Sequence, residues 1–97
     1  MVHPPGVIAL AWYQREDYPR ILQIMKDAST MPQTYDRWLE KETARERLAM
    51  HSDKTVVKAL INPETFPDWC RINGVKADAK GRMRFANWTS AHQVKTV

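Results

Sequence analysis

A strand-like apolar run closed by Glu-x-aromatic-Pro occurs twice, and this repetition limits the possible folds more than any other feature. Residues 8–19 read Ile-Ala-Leu-Ala-Trp-Tyr-Gln-Arg-Glu-Asp-Tyr-Pro, and residues 56–67 read Val-Val-Lys-Ala-Leu-Ile-Asn-Pro-Glu-Thr-Phe-Pro. Aligning Glu16 with Glu64 gives an offset of 48. Ala11 then meets Ala59, Pro19 meets Pro67 and Ile24 meets Ile72, while Tyr18 pairs with Phe66, Gln14 with Asn62 and Ile8 with Val56.

Each half reads as a strand, a cap and a helix. The strands are Val7–Tyr13 and Thr55–Ile61, from their β-branched and apolar residues. Asp17 and Thr65 are the expected N-caps, because a side-chain oxygen accepts from a free first-turn amide. Pro19 and Pro67 fall in the first turn, where a missing N–H costs little. The first helix spans about Tyr18–Ala28, with Tyr18, Ile21, Leu22, Met25 and Ala28 on one stripe. The third spans Phe66–Asn73 and stops at Gly74. Thr34 caps a second helix, Tyr35–Met50, and Asp78 caps a fourth, Ala79–Gln93.

The predicted fold is α/β (α+β), in the order β-α-α-β-α-α: a duplicated βαα unit with a two-stranded antiparallel sheet covered by helices. The pseudo-repeats are residues 7–50 and 55–93 of a single domain spanning 1–97, with 1–6 and 94–97 as flexible ends. The antiparallel expectation assumes that each helix between the strands traverses the sheet once, which places the halves about a pseudo-two-fold axis. Both faces of the first strand are apolar: Ile8, Leu10 and Trp12 on one, Val7, Ala9, Ala11 and Tyr13 on the other. Helices must divide between the faces, or a second subunit must cover one of them. The last helix has two apolar sectors, Ala79/Met83/Ala86 and Phe85/Trp88, and the second calls for another surface. Trp12, Phe85 and Trp88 are therefore the interface candidates of an expected homodimer.

Apolar residues are 43% of the chain and charged residues 27%, ordinary for a soluble domain. No apolar run approaches the ~20 residues of a membrane span, and no secretory signal is recognisable. Cys70 is the only cysteine; a reduced, cytoplasmic setting is the expectation. The net charge of +4 is unevenly placed. Nine Lys/Arg balance nine Asp/Glu as far as Pro67, whereas six Lys/Arg face only Asp68 and Asp78 beyond it. Lys76, Lys80, Arg84 and Lys95 are thus candidates for nucleic-acid phosphates, with Asn87 on the same helical face able to reach a base. The bias comes without a helix-turn-helix, zinc or RNA-binding motif.

Chemistry finds little support. His3, His51, His92 and Cys70 lack the paired spacing of a metal site, so no metal and no cofactor are expected. Cys70 reads as a small buried thiol. Glu42 and Glu46 share a helical face and could form an acid/base pair, but Lys41, Arg45 and Arg47 lie beside them as in a solvated charge cluster. Glu16 and Glu64 repeat at both strand ends, which favours a structural role over a ligand site. Asn87-Trp88-Thr89 matches a glycosylation acceptor by letters alone. The chain reads as no enzyme. It reads as a non-catalytic, self-associating interaction module, with a nucleic-acid-binding regulator as the alternative.

With Trp12-Tyr13-Gln14-Arg15-Glu16-Asp17-Tyr18-Pro19, Tyr35-Asp36-Arg37-Trp38-Leu39 and Phe66-Pro67-Asp68-Trp69-Cys70, the chain resembles small bacterial proteins of unassigned function over roughly residues 9 to 90. The resemblance implies a bacterial, cytosolic setting and no catalytic residue.

Overall fold

A computed structural model describes residues 6–94 of the chain. The elements are β1 (Val7–Trp12), a 3-10 turn (Arg15–Asp17), α1 (Tyr18–Ile24), a second 3-10 turn (Ala28–Thr30), α2 (Tyr35–His51), β2 (Thr55–Leu60), α3 (Phe66–Ile72) and α4 (Ala79–Val94). The fold is α+β, with the predicted order of strands and helices.

The direction of the sheet corrects the sequence reading. β1 and β2 pair in parallel, not antiparallel, so the pseudo-two-fold axis inferred from antiparallel strands is lost with it. The error lay in counting two sheet traverses between the strands. α1 has only 7 residues, roughly 10 Å at 1.5 Å per residue, and it turns a corner at the strand end. The traverse belongs to α2, whose 17 residues span about 25 Å. One traverse returns the chain to the end where β1 began, as parallel strands require. The register runs from Val7↔Thr55 to Trp12↔Leu60, so the offset of 48 seen in the sequence is also the register of the sheet.

α1 ends at Ile24, short of the expected Ala28, because Met25 is already extended (φ −85°, ψ 132°). The next amide is taken by tertiary structure: Lys26 N–H donates to the Ala77 carbonyl at 2.8 Å.

Two expected caps form and two do not. Thr34 Oγ1 accepts from Arg37 N–H at 3.2 Å, and Asp78 Oδ1 accepts from Gly81 N–H at 3.0 Å. Asp17 and Thr65 make no side-chain cap bond; both already have helical backbone angles, whereas an N-cap needs the extended region to aim its oxygen. Asn62 acts instead before α3. Its side-chain Oδ1 accepts from Glu64 N–H at 2.8 Å, and its carbonyl accepts from Phe66 N–H at 2.9 Å. Pro19 and Pro67 occupy the first turns of α1 and α3 as expected.

Gly74 (φ +67°) closes α3 with paired bonds, Val75 N–H to the Cys70 carbonyl at 2.9 Å and Gly74 N–H to the Arg71 carbonyl at 3.3 Å. Asp53 holds the same position after α2 at φ 59°, with Lys54 N–H donating to the Ala49 carbonyl at 3.1 Å and Asp53 N–H to Met50 at 3.2 Å. A Cβ in the left-handed region is unfavourable. Asp53→Gly is therefore expected to stabilise the fold by about 0.5–1 kcal/mol, read as a rise in the urea midpoint at unchanged slope; a fall in the midpoint would contradict this account of the α2 terminus.

Tyr18 and Phe66, the first residues of α1 and α3, are 2% and 1% exposed. Each anchors an aromatic cluster. Tyr18 sits with Tyr13, Tyr35 and Trp38, while Phe66 sits with Trp69 and Phe85. Both sheet faces find helices within the chain. By strand alternation Trp12 and Lys58 share one face, where α2 meets them through Trp38 (5.0 Å between ring centroids) and Glu46 (3.2 Å). α4 lies across both strands, over the face carrying the small side chains Ala9, Ala11 and Ala59. On the α2 side Leu60 stays 47% exposed and Lys58 is exposed, so helices cover that face only in part, and the outer edge of β1 carries no strand among the described residues.

Candidate functional site

A cleft of about 400 Å³ is lined by Ala9, Leu10 and Ala11 of β1, by Trp38, Glu42 and Arg45 of α2, and by Ala79, Arg82, Met83 and Ala86 of α4. Three consecutive strand residues point to alternating faces, so a cleft touching all three runs along the strand's edge. Among the described residues β1 has β2 on one side and no strand on the other. Gly6 and Trp12 carbonyls accept from Thr55 and Ile61 N–H at 2.6 and 2.9 Å. Parallel pairing therefore aims the polar groups of even-numbered β1 residues at β2, and those of Ala9 and Ala11 into the cleft.

The side chains of the cleft form internally balanced pairs. Arg82 donates to both oxygens of Asp27, at 2.8 and 2.9 Å, and its hydrogen bonds hold the Asp27 carboxyl below the ordinary carboxylate range. Arg45 donates to both oxygens of Glu42, at 3.3 and 3.1 Å. Tyr13 closes one end of the cleft at 3% exposure. Burial pushes its phenol well above the usual range, against the pull of Arg82, so the ring stays neutral through physiological pH.

Glu42 and Glu46, read from the sequence as a charge cluster in preference to an acid/base pair, each meet a cation. Glu42 is bound to Arg45 and Glu46 to Lys58, and the Lys58 ammonium also lies 4.4 Å from the Trp12 ring centroid. Cys70 is buried, and burial raises its thiol pKa, which keeps it protonated. Among the described residues no group of three His, Cys, Asp or Glu could hold a metal ion, and no helix is long and apolar enough to cross a membrane. His3 lies outside the described residues.

The interface candidates separate. Trp12 is half-buried in the first aromatic cluster. Phe85 packs inward, 5.5 Å from Phe66 and 5.2 Å from Trp69. Trp88 remains 45% exposed, beside Trp69 and His92. Lys76, Lys80 and Arg84 are all exposed; Lys95 lies outside the described residues. The sequence reading missed the edge cleft and the Asp27–Arg82 pair. Their residues are 55 apart in the chain and carry no local spacing signal. The uncharged run Val7–Trp12 was the one visible hint of the cleft.

No protein-family model, curated protein or solved structure matches the chain.

Proposed function

We propose that the protein is a non-catalytic self-associating module, in which a second copy docks along the free edge of β1. The open edge carries this reading. A flat apolar strand with unpaired backbone groups is a template for another strand, and chains that avoid such pairing place charge or proline there. β1, Val-Ile-Ala-Leu-Ala-Trp, has neither, whereas β2 carries Lys58.

The charges favour the same occupant. Asp27 offsets Arg82 and Glu42 offsets Arg45, so the cleft suits a neutral extended backbone. β1 of a second copy is such a segment. Two β1 edges meeting about a two-fold axis form an isologous contact that closes on itself.

Ala9→Pro tests the proposal. It removes an N–H that bonds nothing among the described residues, and proline is tolerated on edge strands. Sedimentation across micromolar concentrations is expected to show a monomer–dimer equilibrium for the native chain. The variant should weaken dimerisation at least about tenfold, corresponding to roughly one lost backbone bond at 1.4 kcal/mol per decade, with an unchanged circular-dichroism spectrum. A native chain that stays monomeric, or a variant that dimerises equally well, overturns the reading.

A further inference from the structure

We propose that the exposed row Lys80, Arg84 and Trp88 of α4, with Trp69 and Asn87 beside it, binds single-stranded nucleic acid. The three residues are spaced four apart, so they form one row on the helix. They lie about 200° around it from Arg82 and Ala86, which face the edge cleft. The site is thus separate from the surface proposed for self-association.

Four observations converge on this ligand. Lys80 and Arg84 are exposed, and among the described residues neither is ion-paired to a carboxylate. The sequence has no Asp or Glu after Asp78. The two nearest preceding acids are occupied, Asp68 with Arg71 at 3.3 Å and Asp78 with Gly81 N–H. Finally, a second cleft of about 230 Å³ is lined by Trp69, Asn73, Arg84, Asn87 and Trp88. Two indoles therefore border one hollow, their centroids 6.0 Å apart and their planes inclined at 57°, next to a guanidinium and a side-chain amide.

Each part has a use for an unpaired nucleotide. A base stacks on the exposed Trp88 ring, whatever its identity. Arg84 and Lys80 meet the flanking phosphates, and the Asn87 amide offers a donor and an acceptor to a base edge. A duplex hides its base faces and would engage only the two cations. An acidic peptide would likewise leave the indoles unused. Lys76 precedes α4 and is not part of the row.

Fluorescence anisotropy with labelled oligothymidylate and oligouridylate at ~50 mM salt tests the site where phosphate contacts are strongest. Saturable binding is expected. Trp88→Ala should weaken it roughly tenfold through lost stacking. Arg84→Gln, on an exposed side chain, should reduce the salt slope by about 0.7, the increment for one single-strand phosphate contact. Unchanged circular dichroism for Arg84→Gln separates a lost contact from a lost fold. Absence of binding at that salt, duplex DNA binding as tightly as single strands, or polyglutamate displacing the oligonucleotide at lower concentration would each overturn the proposal. So would native affinity in both variants.

Discussion

Gly81→Ala is expected to lower the stability of the fold by about 3 kcal/mol, the upper end of the cost of overpacking. In most helices the same change is favourable by about 1 kcal/mol, since glycine has more backbone freedom to lose. Here the surroundings reverse the sign. A Cβ built on Gly81 would overlap the backbone carbonyl oxygen of Lys76 and meet Cys70 Sγ at 3.6 Å. The obstacle is main chain and cannot rotate away. It is also pinned: the Lys76 carbonyl itself accepts from Asp78 N–H at 2.9 Å, and on its other side Val75 N–H donates to the Cys70 carbonyl at 2.9 Å. Relief would move the first turn of α4 away from α3. For a chain of this size the loss corresponds to a fall in Tm of roughly 15 °C. A Tm equal to or above that of the native chain would show that the loop before α4 yields easily.

Arg82→Met is expected to cost about 2 kcal/mol at neutral pH. Arg82 joins the Met25–Asp27 segment to α4, through both Asp27 oxygens and a 3.4 Å contact with Met25 Sδ. Its side chain is 14% exposed and that of Asp27 25%. Removing the cation leaves a largely buried carboxylate unpaired, which costs several kcal/mol in a dry site and less here because water still reaches Asp27. The effect carries a pH signature. Arg82 depresses the Asp27 pKa in the folded state, so the pair contributes fully above the unfolded aspartate value of about 3.9 and is lost as pH falls through the lower folded value. Urea unfolding at pH 7 and below pH 4 should show the gap between native and variant narrowing in acid. A gap that stays constant with pH would assign the loss to packing of the Arg82 stem and not to the ion pair.

Much of the local structure was legible because its causes lie within a few residues. The prolines of the first turns, the Thr34 and Asp78 caps, the Gly74 stop and the buried aromatics at Tyr18 and Phe66 all follow from short-range rules. Asp17 and Thr65 failed as caps for an equally local reason that the letters do not show. The chain enters each helix already coiled, through the 3-10 turn at Arg15–Asp17 and the turn held by Asn62.

Periodicity and turn chemistry act on neighbours, so the letters alone placed the strands and helices; they did not sort every side chain, for Met83 is exposed and Phe85 packs inward. The sequence also carried the register in its offset of 48, as residues in equivalent places of two successive βα units come to lie opposite each other. Strand direction was decided only in three dimensions, by whether α1 crosses the sheet or turns a corner, and the Lys26–Ala77 bond that helps set this joins residues far apart in the chain. The open edge of β1, the Asp27–Arg82 pair and the Trp69–Trp88 hollow likewise exist only after folding. Each depends on what lies beside a residue in space, and a one-dimensional pattern records only what lies beside it in the chain.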